Sequence, residues 1–345
     1  MKIAFLDRDG VLINEPQDNF RIDSLKKLKI LPDVFENLKR FVDEGYKLVM
    51  VSNQNGIGKN GFSKKGFYEA QNELLRRLKN EGIEFYKIFI CPHTEAENCD
   101  CRKPKIGLVK DFLKGLGKDF DKMRSFMVGD RETDIELAKN IGVRGFLKPN
   151  NSPFPRIASF ERKTSETEIF AQINLDGRGI SVINTGIEFF DHMLEQFAKN
   201  ALVDLFIFAR GDLKVDEHHT VEDTGIVLGN VILKALGELK GIERYGFVLP
   251  MDESLAGVSI DLSGRPYLSF NAEFKREKAG EFPTELTEEF FRALSNNLMA
   301  AIHINLFYGK NDHHKIEAIF KCFGRALRAA AEKNERLKGI SISTK

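Results

Sequence analysis

Short apolar runs alternate with longer amphipathic stretches in the N-terminal part of the chain. The apolar runs lie at residues 2–6, 48–51, 86–90 and 125–128, and polar or turn-forming residues follow each of them closely. Helical patterns occupy intervening stretches such as 63–80 and 132–140. Strands that alternate with helices predict a parallel sheet that is covered by helices on both faces. Ligands of such sheets bind beyond the carboxyl ends of the strands, where we expect Asp7, Ser52 and Asp130.

The hydrophobic pattern changes after a Pro-, Asn- and Ser-rich stretch that is typical of a linker. We therefore predict a domain at 1–150, a linker at 151–160 and a second domain at 161–345. The second domain contains an imperfect repeat: Ile173-Asn-Leu-Asp-Gly-Arg178 matches Ile260-Asp-Leu-Ser-Gly-Arg265, Glu188-Phe-Phe190 matches Glu289-Phe-Phe291, and His218-His219-Thr-Val-Glu222 matches His313-His314-Lys-Ile-Glu317. The repeat predicts an α+β domain of two duplicated half-domains, with helices packed on one face of its sheet.

Composition excludes several classes of protein. The 345 residues are enough for two hydrophobic cores. The chain has 52 Lys and Arg residues and 51 Asp and Glu residues, so it lacks the basic excess typical of nucleic-acid or membrane-surface proteins. No apolar run approaches the roughly 20 residues of a membrane helix, and the first residues do not match a signal peptide. We therefore expect a cytoplasmic, soluble protein without nucleic-acid or membrane partners.

Polar residues after the predicted strands form the first candidate site. Asp7 and Asp9 are spaced so that one carboxylate can attack a substrate while the other exchanges protons. Asp130 and Asp134 add carboxylates, the ligands that Mg²⁺ prefers. Hydrogen-bond donors and a cation for a phosphoryl group come from Ser52, Asn53, Arg102 and Lys103. Two aspartates alone would often only cap a turn, but four such elements in this order indicate phosphoryl transfer.

These elements resemble the motifs of the haloacid dehalogenase superfamily of phosphatases over residues 1–150. The resemblance implies a Rossmann-like α/β fold in which Asp7 is the nucleophile and becomes an aspartyl phosphate, and Asp9 is the general acid/base. It implies that Asp7, Asp130 and the backbone carbonyl of Asp9 hold Mg²⁺. Asp134 is expected to support the site, and Ser52, Asn53, Arg102 and Lys103 to bind the phosphoryl group or the substrate.

Three of the four cysteines lie close together, whereas a disulfide framework would spread them over the chain. Three thiolates and one imidazole make a closed tetrahedral set for Zn²⁺, which indicates a structural site: Cys91, His93, Cys99 and Cys101. The segment resembles the zinc loop of the histidinol-phosphate and heptose-bisphosphate phosphatase branch. That resemblance implies a stiffened loop that places Arg102 and Lys103.

Six of the seven histidines lie in the second domain, and two carboxylates share helix faces with members of the repeated His-His pairs. The eight candidate ligands are His192, His218, His219, Glu222, His303, His313, His314 and Glu317. They divide into two sites of three histidines and one glutamate, each with open positions. Such mixed nitrogen and oxygen ligation suits Mn²⁺, Fe²⁺ or Zn²⁺.

The second domain closely resembles the imidazoleglycerol-phosphate dehydratase family. The motifs that carry the resemblance include Phe190-Asp-His-Met-Leu194, Glu217-His-His-Thr-Val-Glu-Asp223, Met251-Asp-Glu253 and Asp261-Leu-Ser-Gly-Arg-Pro266. The resemblance implies one Mn²⁺ held by His218, His303, His313 and Glu317, and a second held by His192, His219, Glu222 and His314. It implies Glu166 as acid/base, and phosphate contacts from Arg244, Arg265, Lys321, Ser343 and Lys345. It also implies a large symmetric homo-oligomer whose subunits complete the sites.

Together the two resemblances predict a bifunctional enzyme of histidine biosynthesis. It would dehydrate imidazoleglycerol phosphate to imidazole-acetol phosphate and hydrolyse histidinol phosphate. An alternative substrate for the first domain is another small phosphate ester, such as a heptose bisphosphate. A nucleic-acid-associated binding module and a metal-storage protein are alternatives from other classes. The repeated ligands argue against the first of these, and Glu166 and the arginines argue against the second.

Overall fold

The computed structural model describes residues 1–59, 61–244 and 247–337, and the chain divides into two compact units between Pro155 and Arg156. The predicted linker at 151–160 is too long. Phe154 packs its ring against Phe41 of the first unit, with ring centroids 6.0 Å apart, and the first strand of the second unit begins at Ile157. Apolar side chains at both ends therefore draw most of this stretch into the two cores.

The first unit is a parallel α/β structure. Its strands are β1 (Ile3–Leu6), β2 (Lys47–Asn53), β3 (Phe85–Cys91), β4 (Phe126–Gly129) and β5 (Arg144–Leu147), and its helices are α1 (Val34–Asp43), α2 (Lys64–Asn80), α3 (Lys110–Leu116) and α4 (Glu132–Ile141). The strands lie in the order β3-β2-β1-β4-β5, and every neighbouring pair is parallel. The strand β5 and the helices α1 and α3 were not among the elements that the sequence analysis named.

Helices cover both faces of this sheet, as predicted. Ile3 and Phe5 of β1 share one apolar cluster with residues of α3 and α4. On the other face, Phe41 of α1 packs against Phe126 of β4, with ring centroids 5.1 Å apart. The helix α2 begins where the Ser63 hydroxyl accepts a hydrogen bond from a backbone N–H of the first turn. The carboxyl ends of β1, β2 and β4 therefore meet at one edge, between covering helices.

The second unit repeats one topology twice. The first half contains β6 (Ile157–Lys163), β7 (Thr167–Asn174), β8 (Ser181–Asn184), α5 (Glu188–Ala201), β9 (Asp204–Gly211) and α6 (His218–Leu236). The second half contains β10 (Val248–Met251), β11 (Ser254–Asp261), β12 (Tyr267–Asn271), β13 (Lys278–Ala279), β14 (Phe282–Pro283), α7 (Leu286–Leu298), β15 (Ala301–Tyr308) and α8 (Asp312–Ala331).

Each half builds its own sheet, in the orders β6-β7-β9-β8 and β10-β11-β15-β12. In both sheets the first two pairings are antiparallel and the last is parallel, which is the duplication that the repeat predicted. The expectation of a single sheet is corrected, because each repeat closes its own set of strands. The helix α5 packs on α8 and α6 packs on α7, so the helices of the two halves share one apolar core. Among the described residues no helix has the length and apolar character needed to cross a membrane.

Candidate active sites

Asp7 and Lys103 form the centre of a buried site in the first unit. Asp7 directly follows β1, and its backbone N–H donates a hydrogen bond to the carbonyl of Val128 on β4 at 3.0 Å. The Lys103 Nζ lies 2.9 Å from Asp7 Oδ1 and 2.6 Å from Asp134 Oδ1. Burial opposes the charge of this lysine, but the carboxylates of Asp134 and Asp7 outweigh burial and raise its pKa. The lysine is thereby held as a cation beside the predicted nucleophile.

Three carboxylates face a common space at this edge of the sheet. Asp7, Asp130 and Asp134 each offer an oxygen, and these oxygens all lie within 4.8 Å of one another. Among the described residues, Asp130 Oδ1 is buried and receives no hydrogen bond. Burial, and then the charges of Asp7 and Asp134, raise the pKa of Asp130 to about 7. An orphaned carboxylate oxygen in an acidic cluster fits a hard divalent cation such as Mg²⁺.

The Asp9 carboxylate lies apart from that cluster and has its own partners. Gln54 Nε2 donates to Asp9 Oδ2 at 2.6 Å and to the Ser52 hydroxyl at 2.9 Å. Arg8 donates to Asp9 Oδ1 at 2.9 Å and rests its guanidinium on the ring of Phe67. Burial raises the pKa of Asp9, which favours the protonated form that a general acid requires. Gln54 was not among the predicted site residues, although it directly follows β2, the strand that carries Ser52.

The remaining predicted phosphate ligands differ in their contacts. Asn53 fixes the backbone of Lys103, since its Oδ1 accepts from the lysine N–H at 3.0 Å and its Nδ2 donates to the lysine carbonyl at 3.2 Å. Arg102 donates to the side chain of Asn55 at 2.7 Å. A cavity of about 440 Å³ is lined by Asp7, Asp9, Ser52, Asn53, Arg102 and Lys103 among others. Its size is that of a small-molecule site.

The four predicted zinc ligands come together beside this cavity. Cys101 Sγ lies 3.2 Å from Cys91 Sγ and 3.3 Å from Cys99 Sγ, and His93 Nδ1 lies 3.1 Å from Cys101 Sγ. None of these cysteines forms a disulfide. A zinc tetrahedron with bonds of about 2.3 Å has sulfur–sulfur edges of about 3.8 Å, and the 3.6 Å between Cys91 Sγ and Cys99 Sγ is close to that length. The donor set therefore fits a closed structural zinc site.

In the described part of the second unit, one chain brings together the ligand atoms of His192, His313 and Glu317, which lie within 4.8 Å of one another. The predicted division placed His192 in the other site from His313 and Glu317. Within one chain the grouping differs from that division, because α5, which carries His192, packs directly on α8. Glu317 also contacts Lys321, with Nζ 2.7 Å from Oε1.

The other predicted ligands are spread over exposed helix starts and a sheet face. His218 Nε2 lies 3.8 Å from Glu222 Oε2 on the first turns of α6. His219 Nδ1 contacts the Asp212 carboxylate at 3.1 Å, and its Nε2 lies 3.8 Å from Glu166 Oε2. His303 lies on β15 and packs against the ring of Tyr267. On α8, the Nδ1 atom of the second histidine, His314, contacts the carboxylate of Glu253 at 2.8 Å.

These carboxylates also alter the titration of the histidines. The hydrogen bond with Asp212 raises the pKa of His219, and the hydrogen bond with Glu253 raises the pKa of His314. Neither acid was among the predicted functional residues, although Glu253 lies within a motif that carried the family resemblance. Asp212 gave no signal in the sequence, because its contact with His219 depends on the conformation of the loop between β9 and α6.

The predicted phosphate-binding residues of the second unit have different surroundings. Arg244 is largely buried, and its Nε donates to Asp261 at 2.7 Å. Arg265 is exposed. Ser343 and Lys345 lie outside the described residues.

Comparison with known proteins shows two family matches on this chain. The family described as imidazoleglycerol-phosphate dehydratase matches residues 185–327, and the family described as polynucleotide kinase 3 phosphatase matches residues 2–152. The histidine biosynthesis bifunctional protein HisB of Actinobacillus pleuropneumoniae serotype 3 (strain JL03) is 47% identical over 94% of both chains. That of Campylobacter jejuni subsp. jejuni serotype O:23/36 (strain 81-176) is 47% identical over 96% of both.

Solved structures match each unit separately. Imidazoleglycerol-phosphate dehydratase from Staphylococcus aureus subsp. aureus N315 is 46% identical and covers 52% of this chain and 99% of its own, with a TM-score of 0.47. D,D-heptose 1.7-bisphosphate phosphatase from B. bronchiseptica is 28% identical and covers 43% of this chain and 80% of its own, with a TM-score of 0.39.

The two units and the family matches thus define a phosphatase and a dehydratase that are joined in one polypeptide. Because the relatives match over nearly their full length, the chain belongs to the family of the histidine biosynthesis bifunctional protein HisB. It is an enzyme of histidine biosynthesis that combines hydro-lyase and phosphatase activities.

Proposed function

We propose that the second unit converts imidazoleglycerol phosphate to imidazole-acetol phosphate and water, and that the first unit hydrolyses histidinol phosphate to histidinol and phosphate. The observation that carries this proposal is the near full-length relationship to bifunctional histidine-biosynthesis proteins. The buried Asp7–Lys103 pair and the clustered histidine ligands supply chemistry that suits each reaction.

In the phosphatase reaction, an Asp7 oxygen attacks phosphorus while the bond from phosphorus to the substrate oxygen breaks. Asp9 gives its proton to the departing oxygen, so histidinol leaves and an aspartyl phosphate remains. A water molecule then attacks phosphorus and gives its proton to Asp9, which releases phosphate and restores Asp7. Lys103 balances the negative charge of the phosphoryl group, and Ser52, Asn53 and Arg102 bind and orient the substrate.

Two metal ions are proposed for the first unit. Asp7, Asp130 and the backbone carbonyl of Asp9 would hold Mg²⁺, which when bound offsets the negative charge around the phosphoryl group. Asp134 keeps Lys103 in place through their 2.6 Å contact. Zn²⁺ would be held by Cys91, His93, Cys99 and Cys101, where it fixes the conformation of a loop beside the cavity.

In the dehydratase reaction, we propose Glu166 as the group that moves protons. One hydroxyl of the substrate side chain departs as water, and the neighbouring carbon loses a proton. These two steps leave an enol, which becomes the ketone. Two Mn²⁺ ions per active site, when bound, supply positive charge that stabilises the anionic imidazole of the substrate. The eight histidine and glutamate ligands would hold them, and Arg244, Arg265, Lys321, Ser343 and Lys345 would bind the substrate phosphate.

The proposed ligand sets draw on helix starts and a sheet face that one chain does not gather at a single point. We therefore propose that the dehydratase unit forms a homo-oligomer whose subunits complete each site. We also propose a cytoplasmic location, because the composition of the chain predicts a soluble protein.

The test is turnover by the full-length protein. Incubation with imidazoleglycerol phosphate and Mn²⁺ should yield the enolizable ketone, and incubation with histidinol phosphate and Mg²⁺ should release phosphate. Phosphate release from a heptose bisphosphate, measured in parallel, tests the alternative substrate. A clear preference for the heptose ester would overturn the assignment of the first unit. A lack of ketone product would overturn the assignment of the second.

A further inference from the structure

The repeat of the dehydratase unit places two glutamates at equivalent positions. The spacing from Ile173 to Ile260, which begin matching segments of the two halves, equals the spacing from Glu166 to Glu253. Glu166 lies in the turn between β6 and β7, and Glu253 lies in the turn between β10 and β11. The two glutamates therefore occupy the same hairpin of the two half-domains.

The two glutamates nevertheless have different contacts with the second histidine of each His-His pair. Glu253 Oε2 lies 2.8 Å from His314 Nδ1, which is hydrogen-bond distance. Glu166 Oε2 lies 3.8 Å from His219 Nε2, which is too long for a hydrogen bond. In the first half it is Asp212 that contacts His219 Nδ1, at 3.1 Å. Each histidine thus has one carboxylate on Nδ1, but the two carboxylates come from non-equivalent positions.

A difference in the loop before each helix explains why carboxylates from non-equivalent positions contact the two histidines. Gly211 ends β9, and a Cβ placed on it would lie 2.0 Å from the side chain of Thr220. Gly309 follows β15, and a Cβ placed on it would lie 2.8 Å from the side chain of Lys315. Thr220 and Lys315 each directly follow the second histidine of their half. These glycines are therefore equivalent, and the next residue is Asp212 in the first half and Lys310 in the second. A lysine side chain has no acceptor for an imidazole N–H.

Backbone groups of the second half complete the arrangement around Glu253. The Lys310 and Asn311 N–H groups donate to Glu253 Oε1 at 3.3 Å and 2.9 Å, while Glu253 Oε2 contacts His314 Nδ1. An ionised carboxylate only accepts hydrogen bonds, so the Nδ1 atom of His314 must carry the proton. The Nε2 atom then keeps its lone pair for a metal ion.

We propose that Glu253 is the positioning residue of His314 and Asp212 the positioning residue of His219, which leaves Glu166, the counterpart of Glu253, without a hydrogen bond to histidine and available for proton transfer. The proposal rests on the proposed function in one respect, since it takes His219 and His314 as metal ligands. It explains why, of two equivalent glutamates in a duplicated domain, Glu253 positions a histidine and Glu166 transfers protons.

The test compares Glu253→Ala and Asp212→Ala with Glu166→Ala as the matched control, all in the full-length protein. Free Mn²⁺ is followed by electron paramagnetic resonance during titration, and dehydration is measured at increasing Mn²⁺. Glu253→Ala and Asp212→Ala should each weaken Mn²⁺ binding at one of the proposed sites by about 10–100-fold. Excess Mn²⁺ should restore their dehydration rates. Glu166→Ala should bind Mn²⁺ as the wild type does, and excess Mn²⁺ should not restore its rate.

Two results would overturn the proposal: wild-type Mn²⁺ affinity in either Glu253→Ala or Asp212→Ala, or a loss of affinity in Glu166→Ala as large as in those variants. The Glu253 and Asp212 side chains are about one-third exposed, so truncation leaves no buried cavity, and phosphate release from histidinol phosphate reports on folding of the chain. Failure of the proposed function would look different: His314→Ala and His219→Ala would then retain wild-type Mn²⁺ affinity.

Discussion

In the phosphatase unit the reacting groups are buried at one edge of a sheet, whereas in the dehydratase unit most metal-ligand candidates lie near helix starts and are half-buried or exposed. The Lys103 side chain is 3% exposed and the Asp7 side chain 10%, while the His218 and His313 side chains are 46% and 45% exposed. The buried phosphatase groups are oriented by several neighbours of the same unit, as the contacts of Lys103 with Asp7 and Asp134 show. From this difference we expect the phosphatase site to be complete within one chain, and the proposed homo-oligomer to complete the dehydratase sites.

The largest expected effect separates the two sites completely. We predict that Asp7→Asn lowers phosphate release from histidinol phosphate by at least about 10⁴-fold, because an amide cannot form the aspartyl phosphate. Dehydration of imidazoleglycerol phosphate should stay at the wild-type rate, since Asp7 lies in the other compact unit. Both rates are measured on the same purified sample. Loss of both activities in a folded variant would contradict the comparison.

The second prediction separates proton transfer from metal binding in the dehydratase unit. Glu166→Gln keeps the size of the side chain and removes its basicity, so turnover should fall by about 10²–10⁴-fold. Metal content and assembly should be retained. The control His219→Ala should lose metal and weaken the assembly, because it removes a proposed ligand. If Glu166→Gln loses metal to the same degree, Glu166 is a ligand or a structural residue instead.

Dilution tests whether only one of the sites needs neighbouring chains. We predict that dehydration per chain falls when the full-length protein is diluted until its oligomer dissociates, while phosphate release per chain stays constant. We expect this because the proposed ligand sets draw on residues that one chain does not gather at a single point. Rates are measured over a dilution series alongside sizing of the particles. Full dehydratase activity in a monomer would refute the prediction.

The pH dependence of Mg²⁺ binding reports on the buried acidic cluster. Burial and neighbouring carboxylates hold the pKa of Asp130 at about 7, so below this pH the carboxyl carries a proton that must leave when the metal binds. Affinity for Mg²⁺ should therefore weaken as the pH falls below about 7, by up to about tenfold per pH unit. Calorimetry in two buffers of different ionisation enthalpy measures the released proton. Equal affinity at about pH 8 and about pH 6 would contradict this prediction.

The smallest effect on chemistry is expected at the zinc loop. We predict that Cys99→Ser lowers zinc content and the melting temperature of the phosphatase unit, while its rate at low temperature changes little. Removal of one thiolate opens a site whose binding energy orders the loop. Cys322→Ser, in the other unit, is the matched control and should retain zinc. A folded Cys99→Ser variant with stoichiometric zinc and wild-type melting would show that the thiolate is dispensable.

Sequence reasoning reached most of the phosphatase site because its residues directly follow apolar strands. Asp7 and Asp130 could be assigned from the ends of β1 and β4, since parallel strands bring their carboxyl ends to one edge. Lys103 follows no strand, and its charge and the family resemblance indicated it. Gln54 escaped notice because a glutamine carries no charge signature, and only the folded loop shows its 2.6 Å contact with Asp9.

The sequence alone determined the division into two units, the parallel sheet of the first and the duplication of the second, because strand and helix periodicities and repeated motifs are local properties. The tertiary structure decided which distant side chains meet. It paired His192 with the ligands of α8, and it gave each second histidine a carboxylate from a different loop. Such pairings depend on helix packing and on turn geometry, and neither leaves a periodic trace in the chain.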